Sequence, residues 1–110
     1  VSNAEIYNSC AVTAADEDCP DIRIASAQAA DELLGVQGVN ASFVLYSSAG
    51  TVNISARSLG AVNVQVVMEK LGGGGHQTMA GAQLKDTTVT AVREQLIEIL
   101  NETQIHKENL

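Results

Sequence analysis

The sequence is poor in aromatic residues, with no tryptophan, one phenylalanine and two tyrosines among 110 residues. A hydrophobic core must therefore be built from valine, isoleucine, leucine and alanine. Proteins that bind single-stranded nucleic acids stack the bases on aromatic side chains, so this composition argues against such a surface. The length suits one domain with a modest core.

Basic residues are also scarce. Six Lys and Arg residues stand against thirteen Asp and Glu residues, which gives a net charge of −7. Binding to long nucleic acids rests on many contacts between basic side chains and phosphates, and the Asp-Glu-Asp segment at residues 16–18 would repel a polyanion. We therefore expect a small phosphorylated ligand, held by a few local donors, and no long nucleic acid.

Cysteines and long apolar runs are limited as well. Cys10 and Cys19 do not form a Cys-x-x-Cys pair, and two ligands cannot make a structural zinc site alone. A disulfide between them is open, but with no signal peptide we expect free thiols in the cytoplasm. No apolar run approaches the roughly 20 residues that span a bilayer. The chain begins at Val1 and not at Met, which predicts a fragment of a longer protein.

The hydrophobic pattern predicts an α/β domain with helices packed on a mixed sheet of about four to five strands. Strands are predicted at residues 6–14, 41–46, 51–57 and 79–84, and a Ser-Ser-Ala-Gly hairpin joins the second to the third. Helices are predicted from residue 22 or 24 to 34, at 63–71 and from 89 onward, with Asp21 and Asn63 as caps. Along the strand at 51–57, polar residues occupy one face and end at Arg57.

Four consecutive glycines followed by a histidine are the most informative stretch of the sequence. One glycine is enough to end the preceding helix, and each further glycine loses more backbone entropy on folding than another residue would. Bare backbone allows an anion to approach successive N–H groups, and histidine adds a donor that changes charge near neutral pH. An arginine nearby would suit phosphate oxygens because its guanidinium is planar and forked. The predicted phosphate-binding residues are Gly73, Gly74, Gly75, His76 and Arg57.

Three further polar residues flank the loop as candidate ligand contacts: Ser58, Asn63 and Thr78. Each has an ordinary alternative, since the hydroxyls would bond solvent or backbone and Asn63 would cap a helix. The glycines could form an over-long helix cap, Arg57 an ordinary strand-end charge and His76 a loop residue. The run is not a P-loop, because no Gly-Lys-Ser/Thr ends it, and it follows a helix where a dinucleotide fingerprint would follow a strand. No catalytic pair or metal-ligand set is recognisable.

Several segments together resemble one family. Ser-Ala-Arg-Ser at 55–58, Asn-Val at 63–64, Leu-Gly-Gly-Gly-Gly-His at 71–76 and Ala-Gly at 80–81 resemble the C-terminal DHH-associated domain of the DHH-family phosphoesterases. The segment Ala-Gln-Ala-Ala-Asp-Glu-Leu-Leu before Gly35 and the fourth glycine resemble the bacterial membrane-anchored cyclic-di-AMP phosphodiesterases. The resemblance covers nearly the whole chain. Met79 departs from it, because many members carry a small residue there.

The resemblance implies that residues 1–110 are a substrate-binding domain, whose ligand is a cyclic dinucleotide or short phosphorylated nucleotide. A separate DHH domain of the same parent chain would hold two manganese ions that activate water for attack on a phosphodiester. No cofactor and no catalytic residue is then expected in this chain, and Arg57, Gly73, Gly74, Gly75 and His76 match the substrate-holding positions.

Two other functions stay open. One is a nucleic-acid or nano-RNA (pApA) binding domain, as in DHH-family exonucleases and oligoribonucleases and in alanyl-tRNA synthetases. The other is a structural lid or dimerisation domain of a homodimer, with the glycines as a hinge.

Overall fold

The computed structural model of the protein describes residues 5–7, 9–14, 21–48 and 50–108, and the side chains in these ranges as far as residue 102. Cys19 and the acidic segment 16–18 lie outside them. The elements in chain order are β1 (Glu5–Tyr7), β2 (Cys10–Ala14), α1 (Ile22–Leu33), β3 (Ala41–Ser48), β4 (Thr51–Ser58), α2 (Val64–Glu69), β5 (Gly74–Gly75), β6 (Met79–Lys85) and α3 (Val89–Glu108).

Within these ranges the strands form one sheet in the order β1-β2-β3-β4-β6-β5. Only β2 and β3 pair in parallel, joined through α1, and the other neighbours are antiparallel. The predicted α/β class with a mixed sheet is confirmed, although the sheet has six strands and not four to five. None of the helices in the described part is both long enough and apolar enough to cross a bilayer.

The prediction of a single strand at residues 6–14 is wrong. The chain reverses there, so that β1 and β2 pair antiparallel with Tyr7 opposite Cys10. Ser9 has a φ of 69°, a left-handed conformation that suits a tight turn. The apolar residues on both sides of the turn continue one alternating pattern, which conceals it in the sequence.

The two faces of the sheet carry different layers. On one face α2 and α3 cover the main core, which includes Phe43, Leu45, Ile54, Val67 and Leu96. On the other face, here called the α1 face, α1 packs through its alanines and Leu33 onto β2 and β3. The helix lies close enough for the hydroxyl of Ser42 to donate a 2.6 Å hydrogen bond to the carbonyl of Ala30. The strand predicted at residues 41–46 lies within β3 and is buried on both faces there.

The two predicted helix caps have different outcomes. Asn63 caps α2, since its side chain accepts hydrogen bonds from the N–H groups of Gln65 and Val66 at 3.0 and 3.3 Å. Asp21 precedes α1 as predicted, but its side chain makes no cap bond. Its left-handed backbone (φ 55°) is not the extended conformation from which a capping side chain reaches the first turn.

Candidate functional site

Arg57 and His76 lie on the same face of the sheet, on either side of Met79. Arg57 on β4 is directly opposite Met79 on β6, and His76 exchanges both backbone hydrogen bonds with Met79, at 2.7 and 3.3 Å. Directly opposite residues point to the same face of a sheet. With neighbouring strands about 4.8 Å apart, the Cα atoms of Arg57 and His76 are about 10 Å apart. The three residues therefore form a row on the α1 face.

The guanidinium of Arg57 is mostly buried, with 15% of its side chain exposed, and few of its donors are hydrogen-bonded. Its Nε lies 3.3 Å from the Asp31 carboxylate on α1, and its Nη1 donates to the Ala56 carbonyl at 2.9 Å. Nε itself is buried and makes no hydrogen bond, so the contact with Asp31 is an ion pair without one. Of the five N–H donors of the group, only that one on Nη1 is hydrogen-bonded among the described residues. Asp31 holds the side chain in place, and a ligand anion would share the guanidinium with this carboxylate.

The remainder of the row is open to solvent. His76 is exposed, and Met79 keeps 53% of its surface accessible. A ligand that approaches this face therefore meets an imidazole and a guanidinium flanking an apolar thioether side chain.

The backbone of the glycine loop is less free than the sequence predicts. The N–H groups of Gly72 and Gly73 donate to the carbonyls of Glu69 and Met68 at 3.1 and 2.8 Å, which ends α2. The expectation that the N–H groups of residues 73–75 all face a ligand is therefore wrong for Gly73. Bonded and non-bonded pairs alternate along an antiparallel ladder. Because His76 is in a bonded pair, Gly74 is in a bonded pair with Gly81, so its N–H points to β6 and the expectation is wrong for Gly74 as well. The N–H of Gly75, between them, points to the open edge of β5.

Close backbone packing explains two of the loop glycines. A Cβ on Gly73 would lie 2.1 Å from the carbonyl oxygen of Gly81, and one on Gly75 would lie 2.6 Å from the Cα of Ala80. The absence of both side chains therefore lets the loop and β5 pack closely against β6. A Cβ on Gly74, in contrast, would meet no atom within 4 Å. A Cβ on Gly72 would also meet no atom within 4 Å, but its φ of 84° favours glycine. Gly74 is opposite Gly81 on the α1 face, and its missing side chain leaves room there.

The three flanking candidates have structural partners or lie apart from the row. The hydroxyl of Ser58 accepts a hydrogen bond from the N–H of Gly60 at 2.9 Å, and alternation along β4 directs its side chain away from the α1 face. Asn63 caps α2. Thr78 is exposed in the turn before β6, and its carbonyl accepts a 3.0 Å bond from the N–H of Ser58. Ser58 and Asn63 therefore have ordinary structural roles: the Ser58 hydroxyl bonds the backbone and Asn63 caps a helix.

The replacement Asn63→Ala is expected to lower the free energy of unfolding by about 1 kcal/mol, because it removes the acceptor for two N–H groups of α2. Urea denaturation would measure the loss. Asn40→Ala is the matched control, since Asn40 is exposed and its side chain makes no bond within the described part; its effect should stay within about 0.5 kcal/mol. Equal stabilities of the two variants would contradict the capping role.

An open depression of about 560 Å³ adjoins the row on the α1 face. Sequence analysis missed three of its polar lining residues: Arg23, Asn53 and Gln83. Asn53 is one of the alternating polar residues of β4 that end at Arg57, and this pattern could have identified it from the sequence. The polar side chains around the depression are those of Arg23, Tyr46, Asn53, Ser55 and Gln83.

Three basic residues lie on the α1 face, and the carboxylate of Asp31 offsets the charge of one of them, Arg57. Arg23 lines the depression, Arg57 lies in the row, and Lys85 lies opposite Thr51 on the same face. These are three of the six basic residues in the sequence. Local donors can therefore attract a small anion despite the net charge of −7.

The described residues offer little for bond-breaking chemistry. Burial raises the pKa of the Cys10 thiol to about 11, so at neutral pH it stays protonated and is a poor nucleophile. Within the ranges given above, no group of three or more His, Cys, Asp and Glu side chains is placed to hold a metal ion. The arrangement on the α1 face is suited to holding an anion.

Known families provide an independent comparison. The DHHA1 domain family matches residues 10–104 of the chain. The chain belongs to the DHHA1 domain family. This DHHA1 domain is 53% identical over 93 residues to the cyclic-di-AMP phosphodiesterase GdpP of Geobacillus thermodenitrificans, a match that covers 84% of the domain and 14% of GdpP. It is 47% identical over 103 residues to the cyclic-di-AMP phosphodiesterase PdeA of Listeria monocytogenes, covering 92% of the domain and 16% of PdeA.

The DHHA1 domain thus spans less than a fifth of the length of these two relatives. Among solved structures, an exopolyphosphatase-related protein from Bacteroides fragilis superposes with a TM-score of 0.70 at 23% identity, over 88% of the domain and 31% of that chain. At this identity the match describes the fold alone. The family resemblance based on the glycine, histidine and arginine motifs is confirmed.

Proposed function

We propose that this DHHA1 domain binds the substrate of a cyclic-di-AMP phosphodiesterase by holding a phosphate between Arg57 and His76. The row formed by these residues and Met79 on the α1 face is the observation that carries the proposal. The forked guanidinium donates two parallel hydrogen bonds to phosphate oxygens. The imidazole donates from the other side and adds a positive charge when it is protonated.

The glycine loop supports this role through two residues. The open space over Gly74 lets the ligand lie against the backbone of β5. The N–H of Gly75 points to the open edge of the strand, so it is a donor only for a ligand group that extends past His76, outside the space between Arg57 and His76. Gly73 serves the fold, since its own N–H is bonded to α2.

The reaction would be divided between two domains of a longer parent protein, in which residues 1–110 are the substrate-binding part. Two manganese ions in a DHH domain would supply the activated water. Arg57, His76 and the loop would orient the part of the substrate that is not cut. The proposed parent is anchored in the bacterial membrane, with this domain in the cytoplasm.

Titration calorimetry with cyclic-di-AMP, the linear dinucleotide pApA and a longer single-stranded oligonucleotide tests the substrate class. The two relatives named as cyclic-di-AMP phosphodiesterases and the small number of basic residues favour the cyclic dinucleotide. Tightest binding of the oligonucleotide would assign the domain to nucleic-acid handling. Absence of binding to all three, together with a dimer in light scattering, would favour a structural lid or dimerisation domain.

The purified 110-residue chain is expected to hydrolyse no cyclic-di-AMP when manganese is added, because its α1 face supplies binding groups and the metal-activated water belongs to the other domain. Chromatographic separation of cyclic-di-AMP from pApA after incubation would measure the reaction. A sample with manganese and no protein is the control. Product above that control would contradict the division of labour.

A further inference from the structure

We infer that the depression beside the phosphate row is a nucleobase subsite, in which Asn53 and Gln83 bind the edge of an adenine. This inference rests on the proposed function, because the phosphate of the same nucleotide would be held at Arg57 and His76. Its independent basis is a pair of amide side chains at the far end of a polar depression.

The register of the sheet brings the two amides together. Asn53 on β4 is directly opposite Gln83 on β6, so their Cβ atoms are about 5 Å apart on one face. Asn53 precedes Arg57 by four residues, which is about 13 Å along an extended strand. Ser55 and Gly81 are opposite each other and lie between the amide pair and the pair formed by Arg57 and Met79. A nucleotide lying along the strands would therefore reach the amides with its base while its phosphate stays at the arginine.

One amide is fixed and the other is adaptable. The Nδ2 of Asn53 donates to the carbonyl of Thr51 at 3.0 Å, and the residue is 7% exposed. This bond orients the amide and leaves its Oδ1 and one N–H without a partner among the described residues. Gln83 is exposed, so its side chain can adjust to the ligand. Together they provide donors and acceptors on one side of the depression.

Gly81 forms part of the floor of the depression, where it has no side chain to fill the space. A Cβ on Gly81 would lie 2.8 Å from the carbonyl oxygen of Ile54, so packing alone keeps a side chain from this position. Tyr46 and Arg23 form the wall towards α1. The volume of about 560 Å³ falls within the range of about 300–1,000 Å³ that is typical of small-molecule sites.

The chemistry of an amide favours adenine over guanine. An amide presents one donor and one acceptor side by side, which matches the N6 amino group and N7 of adenine. Guanine presents two acceptors there, N7 and O6, which match an arginine. The two amides therefore favour adenine where the base presents its N7 edge, whereas contact of that edge with Arg23 would favour guanine.

Calorimetric titrations of the chain with ribose 5-phosphate, AMP and GMP test the inference. The unaltered chain should bind AMP more tightly than the other two ligands. Gln83→Met keeps the length of the side chain but removes its hydrogen bonds, and should weaken AMP binding by about 3- to 10-fold while leaving ribose 5-phosphate unchanged. Gln65→Met is the matched control, because Gln65 lies on α2 over the opposite face and should change neither affinity.

Three outcomes would overturn the inference. An equal loss of AMP and ribose 5-phosphate binding in Gln83→Met would remove the base contact from Gln83. GMP binding as tight as AMP binding, and lost in Arg23→Ala, would give the base to the arginine. If neither phosphate ligand binds, the proposed phosphate site itself has failed, and adenosine then tests the subsite directly. Adenosine binding lost in Gln83→Met would support the subsite, and no adenosine binding would overturn it.

Discussion

Gly74→Val is expected to abolish binding of cyclic-di-AMP while the domain stays folded. A side chain at this position meets no protein atom within 4 Å of its Cβ, so it would fill the space over β5 that the proposed ligand occupies. Valine is also compatible with a β-strand. We expect no heat of binding in calorimetry and a free energy of unfolding within about 1 kcal/mol of the unaltered chain, measured by urea denaturation.

Gly73→Ala is the comparison variant, and it should lower the free energy of unfolding, which Gly74→Val leaves nearly unchanged. Its Cβ would lie 2.1 Å from the carbonyl oxygen of Gly81, so β5 would have to move away from β6. Such overpacking is expected to cost about 3 kcal/mol of stability or more. Normal binding by Gly74→Val would contradict the ligand position, and full stability of Gly73→Ala would contradict the packing role of Gly73.

Arg57→Lys and His76→Ala are each expected to weaken binding by about 1–3 kcal/mol, which is the range for hydrogen bonds to charged groups. Lysine keeps the charge of Arg57 but lacks the planar fork that binds two phosphate oxygens. His76→Ala removes the imidazole donor on the other side of the phosphate. Calorimetric titrations with cyclic-di-AMP would measure both losses.

Arg93→Lys provides the control for Arg57→Lys. Arg93 lies on α3, away from the α1 face, where it contacts Glu5 and the hydroxyl of Tyr7. Its replacement should leave the affinity unchanged.

A hinge role for the glycines predicts a different pattern, in which Arg57→Lys has no effect. Unchanged binding in both Arg57→Lys and His76→Ala would discard the phosphate site.

Elements that depend on local chemistry could be predicted from the sequence. The asparagine cap and the apolar spacing predicted a helix at residues 63–71, which contains α2 (Val64–Glu69), because both act within one or two helical turns. The hairpin between β3 and β4 followed from its turn residues. The turn between β1 and β2 and the two-residue strand β5 could not be predicted. Glycines carry no side-chain pattern, and β5 is a strand only because β6 lies beside it.

The candidate site could likewise be predicted only in part from the sequence. The sequence could pair Arg57 with His76 through the family motif and the alternation of β4. It could not show that the N–H of Gly73 is bonded to the end of α2. Nor could it place Asn53 opposite Gln83, since these residues are thirty positions apart and meet only through the register of β4 and β6.

The central claim is that a phosphorylated nucleotide binds on the α1 face at the row of Arg57, Met79 and His76. An NMR titration of the ¹⁵N-labelled chain with cyclic-di-AMP tests it most directly, because every backbone N–H and the arginine Nε–H report their own surroundings. We predict that the largest shifts occur at Gly75, His76 and the side chain of Arg57, with smaller shifts along β6. Shifts confined to α2 and α3 on the opposite face, or to β1 at the far edge of the sheet, would contradict the account.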